Sequence, residues 1–358
     1  MRVRLEDVCE KESSKLKQSD VIDQNGLYPV YGASGYLGNI NTYQQSNYYI
    51  AVVKDGAGIG RTMLLPPESS IIGTMQYLIP KDNVLPEYLY YVVKAKHLEK
   101  YFSGATIPHI YFKDYKNEQF DLVSFEEQRV IINRLKKIEI IIDNLSKNLL
   151  LLDELVRARF VEMFGDPVTN DMLWNTDVLK DICTKIGSGS TPRGGKESYI
   201  DEGISLIRSM NVHNAYFEYK DLAHITLDQA EKLNNVVVEH DDLLFNITGA
   251  SVARCCVVPS DVLPARVNQH VCILRCREKI NPIFLQELLV NENYQGKLLQ
   301  IAKSGATREA INKQQLESLE IMLPPLELQN QFASFVEEID KSRLLSNHSL
   351  FLIKSIIF

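Results

Sequence analysis

Between positions 131 and 156 apolar residues recur at spacings of 4-3-4-3-4-3-4: Ile131, Leu135, Ile138, Ile142, Leu145, Leu149, Leu152 and Val156. A stripe of that period predicts one long helix packed against another helix. Gly165, Asp166 and Pro167 end it. The pattern before it differs. Short apolar runs, YPVYGASGYLG (28–38), YYIAVV (48–53) and RTMLLPP (61–67), alternate with turn residues such as DGAG (55–58), which predicts short strands in a β-rich domain. Within that domain a helix is expected at LPEYLYYVVKAKHLEKYF (85–102), opened by Pro86.

The same order of patterns is then written again. SGATIPHI (103–110) returns as SGATREAI (304–311), and the 201-position offset persists through Phe125 to Leu326, Glu126 to Glu327 and Gln128 to Gln329. Weaker echoes link YYIAVVKDGAGIGRTMLL (48–65) to DLLFNITGASVARCCVV (242–258), and VRLEDVCEK (3–11) to VLKDICTK (178–185). Their offsets shrink to 193 and 174, so the second copy carries insertions. A helix is expected from NPIFLQELLV (281–290), and after Pro324 and Pro325 the register predicts a second seam at Phe332, Val336, Ile339, Leu350, Ile353 and Ile357. Arg343 and Ser346 interrupt it, with Leu344 and Leu345 beside the gap.

The expected fold class is therefore α+β: two β-rich domains in pseudo-repeat, residues 1–123 and 167–323, separated by two long helices, 124–166 and 324–358. Antiparallel pairing of the helices is the economical arrangement, because the second domain must be carried from one end of the first helix back to the other. Packing each helix only into its own domain fits less well. A helix of ~38 residues spans roughly 57 Å, whereas a domain of ~120 residues has a radius of gyration of only about 14 Å.

At 358 residues, 45% hydrophobic and 24% charged, the chain is long enough for each copy to bury a core. No basic and apolar leader opens it, and charged residues break the Ile/Leu-rich stretch 131–156, so a cytoplasmic protein without a membrane span is expected. Six cysteines without a CxxC pair are expected to be structural thiols rather than metal ligands. The net charge of −7 argues against nonspecific coating of nucleic acid but leaves room for a local basic surface.

Two segments imitate an enzyme. DGAGIG (55–60) follows a strand as a phosphate loop would, but RTMLLPP after it reads as a strand, not a helix, which makes the glycines a hairpin turn. NPIF (281–284) approaches the NPPF-type signature of adenine methyltransferases, yet Asn281 and Pro282 suit the cap and first position of the helix that follows. No nucleophile triad, HExxH or nuclease cluster is apparent, and no catalytic or metal-binding residue is assigned.

Repeat-equivalent loops instead carry polar and basic residues. They are Lys54, Arg61, Thr106, His109 and Lys113 in the first copy, and Thr248, Arg254, Thr307, Arg308 and Lys313 in the second. The second adds Arg193 in STPRGGK, Arg208 and Asn211 in IRSMNVHN, and Arg266, Asn268 and Gln269 in ARVNQH. Such side chains contact phosphates and read base edges in duplex DNA. Two loop sets on two domains held by a spacer suggest two reading heads.

These residues resemble the DNA specificity subunit of type I restriction-modification systems. The resemblance rests on SGATREAINKQQLESLEIMLPPLELQNQFASFVEEID (304–340), ITGASVARCCVVP (247–259), VNQHVCILRC (267–276), GSTPRGGK (189–196) and MFGDPVTN (163–170), with YPVYGASGYLG and SFEEQRVIINRLKKIE in the first half. The first copy departs from it with VSFEEQ in place of a Pro-Pro pair, and Ala253 stands where a glycine is usual. The resemblance implies two target recognition domains on antiparallel coiled-coil helices, a subunit without catalysis of its own, and two methyltransferase subunits as partners, with restriction/translocase subunits in a full complex. S-adenosylmethionine would be bound by the methyltransferase, and the target would be bipartite with an unread spacer. A coiled-coil adaptor for proteins, or a methyltransferase with an unrecognised motif, are the competing expectations.

Overall fold

The structure, a computed structural model, describes residues 1–22, 25–104, 107–303 and 309–357. It divides into two compact units, residues 1–144 with 350–358, and residues 145–349.

The first unit is built on a four-stranded antiparallel sheet in the order Cys9–Ser13, Met75–Pro80, Tyr49–Val53, Thr62–Leu65. All five residues of Tyr49–Val53 are buried, as an apolar run without alternation requires of a strand covered on both faces. A second, mixed sheet pairs Tyr28–Gly32 with Gly35–Ile40 and, in parallel, with Ser70–Ile71. Helix Pro86–Lys94 buries Leu89 and Val93 in one core with Ile50, Val52 and Leu78. The expected helix over 85–102 stops early: His97 takes a left-handed backbone (φ 50°), which ends the hydrogen-bond ladder, and Leu98–Tyr101 resumes as a 3-10 turn.

The second unit repeats this plan. Its four-stranded antiparallel sheet runs Cys183–Ser188, Val271–Cys276, Leu243–Asn246, Cys255–Val257, strand for strand the order of the first. Its mixed sheet again contains a parallel pair, Ile204–Ile207 with Ala265–Val267, here at the centre and flanked by Ala223–Ile225 and Val237–Val238. The inserted residues build a small hairpin, Val212–His213 with Tyr216–Phe217. In both copies the glycine-bearing segment after the inner strand is a hairpin turn: Tyr49–Val53 pairs with Thr62–Leu65 across residues 54–61. Asn281 caps helix Pro282–Val290 by accepting from the amides of Ile283 (2.9 Å) and Phe284 (3.3 Å). The cysteines are unpaired thiols, and burial pushes Cys9, Cys183, Cys256 and Cys272 up to about 12.

Two long helices complete the chain, Phe125–Phe164 with 40 residues and Leu326–Ile357 with 32. Along the first, Ile131, Leu135, Ile138, Ile142, Leu145, Leu149 and Leu152 are half-buried and Val156 is buried, while Ile140, Ile141, Leu150, Leu151 and Leu155 between them are exposed. Along the second, Phe332 and Val336 are buried and Ile339, Leu350 and Ile353 half-buried; the Ile357 side chain lies outside the described residues. The seam is not broken at Arg343 and Ser346. Both are half-buried in register, and Leu344 and Leu345 point away, 69% and 71% exposed.

Inside the second unit the helices run antiparallel. The Arg343 guanidinium meets the Asp153 carboxylate at 2.7 Å, and the Phe160 and Phe332 rings lie 5.5 Å apart, so progress along one helix is retreat along the other. Phe160 and Phe332 join Phe164 and Phe284 in one buried aromatic cluster, which merges both helices with the core of the sheet domain. Among the described residues no helix is long and apolar enough to cross a membrane.

Candidate nucleic-acid interface

The backbone places one feature at the same point of both units. In the first, the Gly56 amide donates to the Pro108 carbonyl at 3.0 Å and the Ile110 amide to the Lys54 carbonyl at 2.9 Å. In the second, Gly249 donates to Glu309 and Ile311 to Ile247, each at 2.9 Å. The hairpin turn and the segment that ends each SGAT motif are thus stitched together twice. Around each stitch lies a rim of polar side chains.

In the first unit Lys54 Nζ donates to Asp55 Oδ2 at 2.8 Å, and His109 Nδ1 lies 2.7 Å from Asp55 Oδ1. Burial would raise the Asp55 carboxyl, but the hydrogen bonds from Lys54 and His109 outweigh it and leave it below its ordinary value. His109 stacks near Tyr111 (6.4 Å, 21°), and Lys113 Nζ sits 5.2 Å from the same ring. Arg61, across the turn, is exposed and donates to the Ala33 carbonyl at 2.8 Å. Thr106 lies outside the described residues. Sequence reasoning missed Asp55 and Tyr111, although both flank residues it selected.

In the second unit an open cleft of about 590 Å³ is lined by Ser209, Thr248, Ser251, Arg254 and His270 among others. Arg254 Nη1 donates to His213 Nδ1 at 3.3 Å, and His213 stacks on Tyr216 with centroids 4.6 Å apart. Arg193, Gln269 and Lys313 are exposed, Lys313 within 3.6 Å of Glu317. Arg208 lies over the Tyr199 ring at 5.4 Å and donates to the Asp221 carbonyl. Thr307 and Arg308 lie outside the described residues.

Three selected residues are engaged within the protein. Asn211 is fully buried: its Oδ1 accepts from the Arg208 amide (3.1 Å) and its Nδ2 donates to the carbonyls of Glu218 and Lys220. Asn268, 5% exposed, accepts from the His270 amide at 3.0 Å. Arg266 donates to Ala230, Ala265 and Asn234, and burial pushes its guanidinium down from the ordinary value. They shape the loops from beneath. Half-buried Ser209, His213 and His270 and exposed Tyr216 border the cleft in their place; the first three lie in Arg/Asn-rich loops that the sequence singled out, and Tyr216 lies outside them. Among the described residues no group of three or more His, Cys, Asp or Glu could hold a metal ion.

The family model described as the type I restriction modification DNA specificity domain matches residues 1–151 and 172–353. The chain belongs to this family. It is 24% identical over 302 residues to the type I restriction enzyme MjaIX specificity subunit of Methanocaldococcus jannaschii, covering 78% of this chain and 68% of that protein. The putative MjaX specificity subunit of the same organism is 25% identical over 170 residues, 47% of this chain and 39% of that one. Among solved structures, the type I restriction-modification S subunit from M. genitalium matches with a TM-score of 0.64 at 15% identity, over 100% of this chain and 93% of that one. A chain from work on complex assembly and conformational transition of the type I R-M system matches with a TM-score of 0.60 at 17% identity, over 100% and 95%. These likenesses establish the two-domain α+β fold with long helices, and the family establishes a DNA specificity subunit of a type I restriction-modification system.

Proposed function

We propose that this specificity subunit reads a bipartite DNA target, one half-site with each unit, and leaves a fixed number of base pairs between them unread. The duplicated rim carries this reading: two equivalent stitches of turn to loop, each fringed by different side chains, suit two unlike half-sites. Lys54, Arg61, His109 and Lys113 contact one half-site, together with Thr106. Arg193, Arg208, Thr248, Arg254, Gln269 and Lys313 contact the other, with Thr307 and Arg308, while Asn211, Arg266 and Asn268 hold the loops in shape. The paired helices act as the ruler.

Catalysis belongs to partners. Adenine methyltransferase subunits, which bind S-adenosylmethionine, dock on the chain and methylate the target, and restriction subunits join them in a full complex. Exposed apolar residues on the outer helix faces, Leu150, Leu151, Leu155, Leu344 and Leu345, favour such docking over a bare helical rod. Replacing residues 170–323 with the equivalent domain of another specificity subunit tests the division of labour. One half of the methylated motif is expected to change, and a change in both halves would sink it.

A further inference from the structure

The turn that joins Ala265–Val267 to Val271–Cys276 carries Gln269 at its exposed tip. Its backbone is fixed from both sides. The Gly189 amide donates to the Asn268 carbonyl at 3.1 Å and the Asn268 amide to Ile207 at 3.0 Å. Gly189 comes so close that a Cβ there would lie 1.8 Å from the Val267 carbonyl oxygen, so only glycine permits this approach.

The Gln269 side chain is held at both ends of its amide. Thr191 Oγ1 donates to its Oε1, and its Nε2 lies 3.1 Å from His270 Nε2. An amide nitrogen can only donate, so His270 Nε2 accepts, and the ring hydrogen sits on Nδ1, which donates to Thr248 Oγ1 at 2.6 Å. A glutamine amide has two N–H donors and two acceptor lone pairs. One of each is engaged here, leaving one donor and one acceptor free on an exposed group held at the tip of the turn. Adenine offers the complementary pair in the major groove, its N7 acceptor beside its N6 donor, and guanine does not.

We infer that Gln269 is the reader of an adenine in the half-site of the second unit, with Thr191 and His270 as positioning residues that hold its amide at the tip of the turn. This rests on the DNA-reading function proposed above and assigns one base of it. The arrangement selects against guanine as well as for adenine, because guanine O6 and N7 would set an acceptor against the amide oxygen.

The test uses the full chain in complex with its methyltransferase subunit, with duplexes carrying the motif mapped by methylation. Each adenine of the second half-site other than the methylated one is replaced singly by 7-deazaadenine, which lacks N7. At one position the replacement is expected to weaken binding by the wild-type complex roughly ten- to a hundredfold, and to cost Gln269→Ala nothing further. Thr191→Ser is expected to keep the discrimination and Thr191→Val to lose it, with thermal stability unchanged in both. If Gln269→Ala responds to every replacement as the wild type does while the split motif persists, the assignment is overturned and the DNA-reading function stands. If the wild-type complex has no chain-dependent motif, both fall.

Discussion

Gln329 does in the second unit what Gln128 does in the first. Gln128 Oε1 accepts from the Leu85 amide at 2.8 Å and its Nε2 donates to the Val123 carbonyl at 3.0 Å. Gln329 Oε1 accepts from the Asn281 amide and its Nε2 donates to the Pro324 carbonyl, both at 2.8 Å. Both side chains are buried, and each ties the first turn of a long helix to the start of the helix that covers its sheet. The joint between sheet domain and long helix is therefore itself part of the repeat.

Replacing Gln128 with leucine leaves the Leu85 amide and the Val123 carbonyl, both part-buried, without this partner, and replacing Gln329 does the same to the Asn281 amide and the carbonyls of Pro324 and Lys279. A loss of roughly 1–3 kcal/mol for each group orphaned is expected, read as a lower denaturation midpoint. Gln329→Leu is expected to act on the second unit and Gln128→Leu on the first.

The repeat offsets made much of this legible in advance. An offset of 201 for the loop and helix residues, and of 193 for the hairpin, makes Gly249 with Glu309 the counterpart of Gly56 with Pro108, the pairing that the backbone hydrogen bonds show. The heptad spacing separated half-buried Leu149 and Leu152 from exposed Leu150 and Leu151. What the sequence could not show is which loop amides are engaged inside the protein. Asn211 and Gln269 look alike in a row of polar residues, yet one caps a buried turn and the other stands in solvent. Arg343 was misleading for a related reason, since a charged residue breaks a seam only if no partner meets it, and Asp153 does.

The helix seam makes a contrast testable by stability. Phe160→Ala opens the aromatic cluster and is expected to cost about 3–5 kcal/mol. Leu344→Ser with Leu345→Ser is expected to change stability by less than about 1 kcal/mol, and to weaken co-purification with the methyltransferase subunit. Equal destabilisation by both would refute the seam register.

Glu287 gives the second unit a pH dependence. It is 8% exposed, accepts a hydrogen bond from Gln286 at 2.9 Å, and is raised to about 7 by burial; Gln286, Arg343 and Arg157 oppose that shift and Asp340 adds to it. Burial also raises Asp340. A carboxyl raised on folding binds more protons folded than unfolded, so its stabilising contribution is complete below its ordinary 4.5 and is lost as pH rises through about 7. Glu287→Gln is expected to flatten the fall in melting temperature over that window, the part that remains belonging to Asp340. An unchanged slope would show that Glu287 is ionised in the fold.

Shortening the helix pair tests its proposed role as a ruler. Removing residues 149–155 together with residues 341–347, stretches matched across the Asp153–Arg343 pair in the second unit, takes one heptad from each helix, ~10.5 Å, or about three base pairs at ~3.4 Å. An active complex whose spacer kept its length would refute the ruler.

The most direct test of the account as a whole is methylation mapping of DNA from cells that express the neighbouring methyltransferase subunit with or without this chain. A split adenine-methylated motif is expected only when the chain is present, with two unlike halves and a constant gap. A motif that persists without the chain, or no motif from a purified complex of the two proteins, would contradict the assignment of sequence reading to this subunit.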